Sequence, residues 1–256
     1  MSDIILTDKQ KECVHNCYEN FYPTLVEKSL SGCECCEDIY NGNEYVDMGE
    51  AGIWSKYPIG VSEWNSDWKD NIKYFAWGET EGYTQSQLGV DKQFTWNDYK
   101  WCEGENRLTK YCSNSNYGKD KTFSDEFTIL LPEDDACTVN MGNNWRMPTI
   151  EEFQTLYSLC NNEWVINYNG VEGLNGILFK LKNDSSKQLF LPTTISHDSG
   201  STSFAGSSGG FWSSSLYVVY PCDGFNLYFD SGFINPNDSN SRYKGYPVIG
   251  VLSSGQ

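Results

Sequence analysis

Gly209-Gly-Phe-Trp-Ser-Ser-Ser215, Phe225-Asn-Leu-Tyr-Phe-Asp230 and Arg242-Tyr-Lys-Gly-Tyr-Pro-Val-Ile-Gly-Val251 are the stretches on which the fold turns. Each is short, rich in aromatic or β-branched residues and bounded by Gly, Pro, Asn or Ser, the pattern of strands in a turn-rich domain. The segments between them predict an irregular run over 216–223 and a loop over 231–241, with Asn235-Pro-Asn-Asp238 as a turn. From Ser213 to Tyr243 there is no Lys, Glu, Gln, Met or Trp, although these types make up about a quarter of the preceding chain.

Working upstream, Gln188-Leu-Phe-Leu-Pro192, Gly176-Ile-Leu-Phe-Lys-Leu181 and Trp164-Val-Ile-Asn-Tyr168 predict three more strands, joined at Asn-Gly and Asn-Asp-Ser-Ser turns. A Ser/Gly-rich loop over 196–210 separates them from the last fifth. Thr149 with Glu152 forms a capping box, and Phe153, Leu156, Tyr157 and Cys160 follow at helical spacing, predicting a helix that packs on a sheet. Tyr45–Met48 and Gly52–Ser55 predict a hairpin, Tyr74–Gly78 a further strand, and Thr95–Trp101 one helical turn or a loop. Trp54, Trp77, Trp101, Trp145 and Trp164 are spread too evenly for a cofactor box and predict core packing with each indole N–H bonded to backbone.

The 256 residues carry 39% hydrophobic and 15% aromatic types, enough for a real core. A formal net charge of -17 opposes binding to nucleic-acid phosphates or anionic membrane surfaces, which need a positive field. No apolar run approaches a bilayer span, and Met1–Asp8 lacks the basic and apolar regions of an export signal. Nucleic acid and membrane insertion are therefore not expected.

Cys13, Cys17, Cys33, Cys35 and Cys36 crowd into residues 1–40, a helical extension capped by Thr7 and Gln10 that precedes a main domain over 41–256. This cluster, with His15 nearby, could bind a structural zinc, form disulfides or remain free thiols; its spacing matches no standard zinc site. The extension itself is a candidate docking element toward a larger assembly, or a brace on the domain.

Several ordered motifs carry a family resemblance: Glu44-Tyr-Val-Asp-Met48, Tyr74-Phe-Ala-Trp-Gly-Glu-Thr80, Leu131-Pro-Glu-Asp-Asp-Ala136, Asn144-Trp-Arg-Met-Pro-Thr149, Leu189-Phe-Leu-Pro192, Phe211-Trp-Ser-Ser214 and Asn226-Leu-Tyr-Phe229. Together they resemble the Fibrobacter succinogenes major paralogous type of domain found in gut Bacteroidetes and their phages, over nearly all of residues 42–253. That resemblance implies an α+β, C-type lectin-like fold of the formylglycine-generating-enzyme kind, with short antiparallel sheets, one or two helices and much ordered loop. Some such proteins are the variable proteins of diversity-generating retroelements, in which adenine-templated Asn codons scatter over types that exclude Lys, Glu, Gln, Met and Trp. The resemblance thus implies a variable region at 213–251. The closing Tyr246-Pro-Val-Ile-Gly-Val251 departs from the family, where basic residues are frequent near that point.

On this reading the ligand meets a surface formed by residues 216–249. Its candidates are Leu216, Tyr217, Val218, Val219, Tyr220, Asp223, Phe225, Tyr228, Asp230, Phe233, Asn235, Asp238, Asn240, Tyr243 and Tyr246. Large aromatic groups with Ser, Asn and Gly between them share the composition of antibody paratopes. The expected partner is a protein or glycan on a cell surface, and the expected setting a virion tail or fibre or a bacterial surface. A calcium-dependent sugar-binding lectin is the alternative and needs clustered hard oxygen ligands; Asn235-Pro236-Asn237 and Trp96-Asn97-Asp98 are the nearest approaches. An undiversified surface adhesin is a further alternative. An oxidase of the formylglycine-generating kind needs paired C-terminal thiols, and Cys222 alone follows Cys160. His15 and His197 sit in polar contexts without a catalytic pattern, so no enzyme is expected.

Overall fold

A computed structural model describes residues 39–194, 196–198, 201–203 and 206–253. The strands are β1 (Ile39–Tyr40), β2 (Asn43–Asp47), β3 (Ile53–Ser55), β4 (Trp145–Arg146), β5 (Cys160–Val165), β6 (Gly176–Leu181) and β7 (Asp184–Pro192). They continue with β8 (Ser196–Asp198), β9 (Ser201–Ser203), β10 (Ser208–Leu216), β11 (Asp223–Asp230), β12 (Ile234–Ser241) and β13 (Val251–Leu252). Among the described residues three α-helices, α1 (Trp68–Asn71), α2 (Ala136–Met141) and α3 (Ile150–Leu159), are set between these strands. The sheets run β1-β2-β3-β13-β4, β5-β6-β7, β8-β9 and β10-β11-β12, each pairing antiparallel. This is an α+β protein in which long ordered loops join small sheets.

The sheet β10-β11-β12 is central because both of its faces are covered. Alternation along β10 sends Phe211 to one face and Trp212 to the other. Phe211 joins Leu227, Phe229, Trp54, Phe153, Phe179 and Ile249 in the larger core cluster. Trp212 joins Trp77, Tyr111, Trp145, Tyr246 and Val248 in a second. Two strand glycines let these rings approach: a Cβ at Gly210 would come within 2.6 Å of the Tyr246 ring, and one at Gly224 within 2.6 Å of Trp77.

The indole expectation holds at four positions. Nε1 of Trp54, Trp77, Trp101 and Trp145 donates to the carbonyl oxygens of Ala51, Ser213, Gly78 and Tyr40, respectively. Trp164 is half-buried against the larger core. The capping box of α3 also forms: Thr149 Oγ1 accepts from Glu152 N–H, and the Glu152 carboxylate accepts from Thr149 N–H at 2.8 Å. Arg146 grips that carboxylate with both terminal nitrogens, at 2.7 and 2.6 Å, tying the helix start to β4.

Other expectations change. The supposed loop over 231–241 contains a strand, β12, and Asn235–Asp238 is a bulge within it: Asn226 pairs with Asp238 but Tyr228 with Asn235. Tyr74–Gly78 makes only isolated bridges, Tyr74 to Tyr83 and Phe75 to Tyr246. Of the two readings given for Thr95–Trp101, the loop is the one found. Tyr157 points outward from α3, and Cys160 opens β5 instead of closing the helix stripe. The segment 246–251 is buried but is strand only at Val251. Ile39 and Tyr40, assigned to the extension, already pair with Glu44 and Asn43. Cys13, Cys17, Cys33, Cys35, Cys36 and the helix expected there lie outside the described residues.

Candidate ligand-binding site

The turn between β10 and β11 is held from beneath by Arg242, whose side chain is 0% exposed. Its Nε donates to Tyr99 Oη at 2.8 Å, Nη1 to the carbonyl oxygens of Tyr111 (2.9 Å) and Pro221 (3.0 Å), and Nη2 to that of Lys110 (3.1 Å). The guanidinium also lies 4.8 Å from the Trp77 ring centroid. One buried fork therefore fixes the turn, the 110–111 segment and Tyr99 together. Within the turn, Tyr220 N–H donates to Tyr217 O and Asp223 N–H to Tyr220 O, while Ser113 Oγ donates to Val218 O at 2.7 Å.

What this frame presents outward is apolar. Val218 and Val219 are exposed, the latter at 72%. Beside them the 127–130 segment runs along the end of β10: Leu216 N–H donates to Thr128 O, Ile129 bridges Ser215, and Leu130 N–H donates to Ser214 O. Phe127 and Ile129 are exposed as well. Flanking rings are half-buried and propped: Tyr217 on Phe225 (centroids 5.1 Å apart), Tyr220 on Tyr117 (4.9 Å) and Tyr243 on Trp96 (4.9 Å). Exposed apolar groups gathered at one place mark an interaction surface more than scattered ones do.

The fifteen sequence candidates divide. Tyr217, Val218, Val219, Tyr220, Asp223, Phe225 and Tyr243 belong to this end of the sheet. Phe233, Asp230 and Tyr228 belong to the opposite end, since β11, of eight residues, runs between the two turns and is about 25 Å long. They do not form one patch with Val219. Leu216 and Tyr246 are not surface residues: Leu216 sits in the cluster of Trp77 and Trp212, and Tyr246 packs edge-on against Trp212 at 4.9 Å while its backbone pairs with Phe75. Ile249, also expected to vary, is buried in the larger core.

Asn235, Asp238 and Asn240 are half-buried and engaged with one another. The Asp238 carboxylate accepts from Nδ2 of Asn226, Asn240 and Asn235 at 3.2, 3.1 and 3.4 Å, and Asn240 Oδ1 accepts from Lys244 Nζ. Burial pushes the Asp238 pKa up, with the amide donors opposing it; burial likewise raises Asp223. These side chains hold β12 on β11 as much as they face solvent.

Arg242, Phe127 and Ile129 were not among the sequence candidates. Phe127 and Ile129 lie in no periodic segment, and Arg242 reads as an ordinary basic residue beside a strand. The one available signal was a lone Arg in a stretch otherwise free of basic residues from Ser213 to Tyr243.

For chemistry the surroundings offer little. Among the described residues no group of three or more His, Cys, Asp or Glu is arranged to hold a metal ion. The Asp98 carboxylate of the Trp-Asn-Asp triplet is occupied by N–H groups of Gln93, Phe94 and Thr95. Asn235 Oδ1 is taken by Asn237 N–H. Burial pushes the Cys222 thiol to about 12 and Cys160 to about 11, so both stay protonated and unreactive at neutral pH. No helix among the described residues is long and apolar enough to cross a membrane. Compared with family models, curated proteins and solved structures, the chain matches none.

Proposed function

We propose that this protein is a non-enzymatic display protein of C-type lectin-like fold, the variable protein of a diversity-generating retroelement, that binds a protein or glycan on a cell surface. Its ligand meets the Tyr217–Tyr220 turn together with Phe127 and Ile129. Residues 1–40 dock it to a phage or surface assembly. The observation that carries the binding reading is the contrast at this turn: exposed apolar side chains stand on a backbone pinned by a fully buried arginine. Holding apolar side chains in water on a rigid support lowers the ordering cost of a complex, as in matured paratopes.

The test uses fluorescently labelled protein on a panel of intact gut bacterial strains. A Phe127→Ser, Val218→Ser, Val219→Ser triple variant is expected to lose the staining that the parent gives while its Tm stays within about 2 °C. Undiminished staining by that variant refutes the assignment of the face. The retroelement reading has its own check, a neighbouring reverse transcriptase with a near-copy of the 3' coding end differing at template adenines. Its absence removes diversification and leaves the binding face to be judged separately.

A further inference from the structure

The opposite end of the central sheet holds a cleft of about 530 Å³ between the β11–β12 turn, the last turn of α3 and β5. Its volume falls within the range of small-ligand sites. Three rings from three separate elements line it: Phe233, 58% exposed, Tyr157, 40% exposed, and the half-buried Trp164. Phe233 and Tyr157 could be polar at no cost to the core, on which only Trp164 partly packs, so the convergence of three rings on one concavity calls for an occupant.

The charged groups there, Asp230 and Lys182, are of opposite sign and each bonds to neutral groups of the protein. Asp230 Oδ1 accepts the N–H groups of Gly232 (2.8 Å) and Phe233 (2.9 Å) and so shapes the turn. Lys182 Nζ donates to Ser158 O at 2.6 Å. Asn162 also lines the cleft, and its Oδ1 is shielded from solvent without a hydrogen-bond partner among the described residues.

We infer that this cleft is a second binding site, for the neutral sugar rings of a glycan. A pyranose ring presents C–H faces that pack on Phe233, Tyr157 and Trp164, and hydroxyl groups at its rim that can accept from the amide nitrogen of the half-buried Asn162. Lys182 and Asp230 bring opposite charges to the same cleft, so its lining has no net charge to favour an ionic ligand. The site needs no metal ion, and it is independent of the face at Val219.

The full chain, in EDTA, is applied to an array bearing neutral oligosaccharides (cellohexaose, maltohexaose, mannohexaose and fully N-acetylated chitohexaose) and acidic ones (sialyllactose and galacturonate oligomers), and hits are titrated by calorimetry. Capture of neutral sugars is expected, and Phe233→Ala, Tyr157→Ala and Asn162→Ala each weaken it about tenfold or more. Val219→Ser leaves it unchanged, which separates this site from the first. Phe233 and Tyr157 are exposed, so their variants fold even if Asn162→Ala does not. Four outcomes overturn the inference: no capture at millimolar sugar, capture of acidic sugars only, a calcium requirement, or capture untouched by Phe233→Ala.

Discussion

Replacing Arg242 by Met tests whether one buried cation holds the β10–β11 turn. Methionine fills much of the aliphatic volume but donates nothing. Tyr99 Oη keeps a partner, since it also donates to Trp77 O at 2.7 Å. The carbonyl oxygens of Tyr111, Pro221 and Lys110 lose the Arg242 donor. A buried acceptor left unpaired costs about 1–3 kcal/mol, so three such losses cost about 3–9 kcal/mol before any relaxation. Against this, among the described residues Arg242 forms no salt bridge, and relieving the burial of an ion without a carboxylate partner returns several kcal/mol. The net expectation is a loss of about 3 kcal/mol, a large part of the 5–15 kcal/mol that ordinarily stabilises a domain, roughly.

Equilibrium urea unfolding followed by tryptophan fluorescence reads this directly, and a fall in Tm of about 6–12 °C accompanies it for a domain of this size. Arg242→Lys should fall between parent and Met, because a single ammonium cannot reach all the acceptors that the planar fork serves. Amide exchange adds a local readout: Tyr220 and Asp223, whose N–H groups close the turn, should exchange faster in the Met variant than its global stability explains. If Arg242→Met unfolds within about 1 kcal/mol of the parent and turn exchange is unchanged, the guanidinium does not organise the turn and the rigidity argument for the binding face fails.

Asp238→Ala should destabilise by about 1–3 kcal/mol, because it strips a shared acceptor from Asn226, Asn235 and Asn240, whereas Val219→Ala stays within about 0.5 kcal/mol; urea midpoints measure both. Native iodoacetamide labelling followed by peptide mapping should leave Cys112, Cys137, Cys160 and Cys222 unmodified until denaturant is added, since burial raises all four thiol pKa values. Early labelling of Cys222 would show that the turn above it opens. The pH dependence follows from shifts of opposite sign. Burial raises Asp135, Asp223 and Asp238 above the ordinary 3.8, so their contribution is full below 3.8 and is lost as pH rises through the raised values. Burial acts in the same direction on Asp98, but the N–H donors of Thr95 and Gln93 outweigh it; the Gly49 N–H and Lys187 lower Asp47. The contribution of Asp98 and Asp47 is present above 3.8 and disappears as pH falls through the lowered values. From these groups Tm should therefore peak near pH 3.8, where the rise contributed by Asp98 and Asp47 ends and the loss from Asp135, Asp223 and Asp238 begins, and a monotonic rise from there to pH 8 would contradict the burial assigned to Asp223 and Asp238.

Local chemistry made some of this fold legible. The α3 start was readable because Thr149 and Glu152 satisfy each other's backbone donors within four residues of sequence. The β2–β3 hairpin and β6–β7 were readable because their burial follows from short-range pattern. β12 was not, since Ile-Asn-Pro-Asn-Asp-Ser-Asn-Ser has no apolar alternation. It is a strand because β11 offers a template and because Asn226, Asp238 and Asn240 bond across the pair, and neither fact is local. The same omission merged two sites. With 231–241 taken as loop, Phe233 was free to be imagined beside Val219; once β11 and β12 are paired, the two turns fall at opposite ends.

That separation also sorts which positions a binding surface can change. Asn235, Asp238 and Asn240 look as permissive in sequence as Tyr217, Val218, Val219 and Tyr220, yet the first three share acceptors and donors, so altering one leaves the others unpaired in a half-buried place. The turn residues take their conformation from backbone bonds, from Ser113 and from Arg242, so their outward side chains are not needed to hold it. A turn fixed through its carbonyls tolerates nearly any side chain, because the groups that position it are common to every residue type. Side-chain change is therefore least costly at Val218 and Val219, where the backbone carries the structure, more costly at Tyr217 and Tyr220, whose rings pack on Phe225 and Tyr117, and most costly along β12, where side chains do.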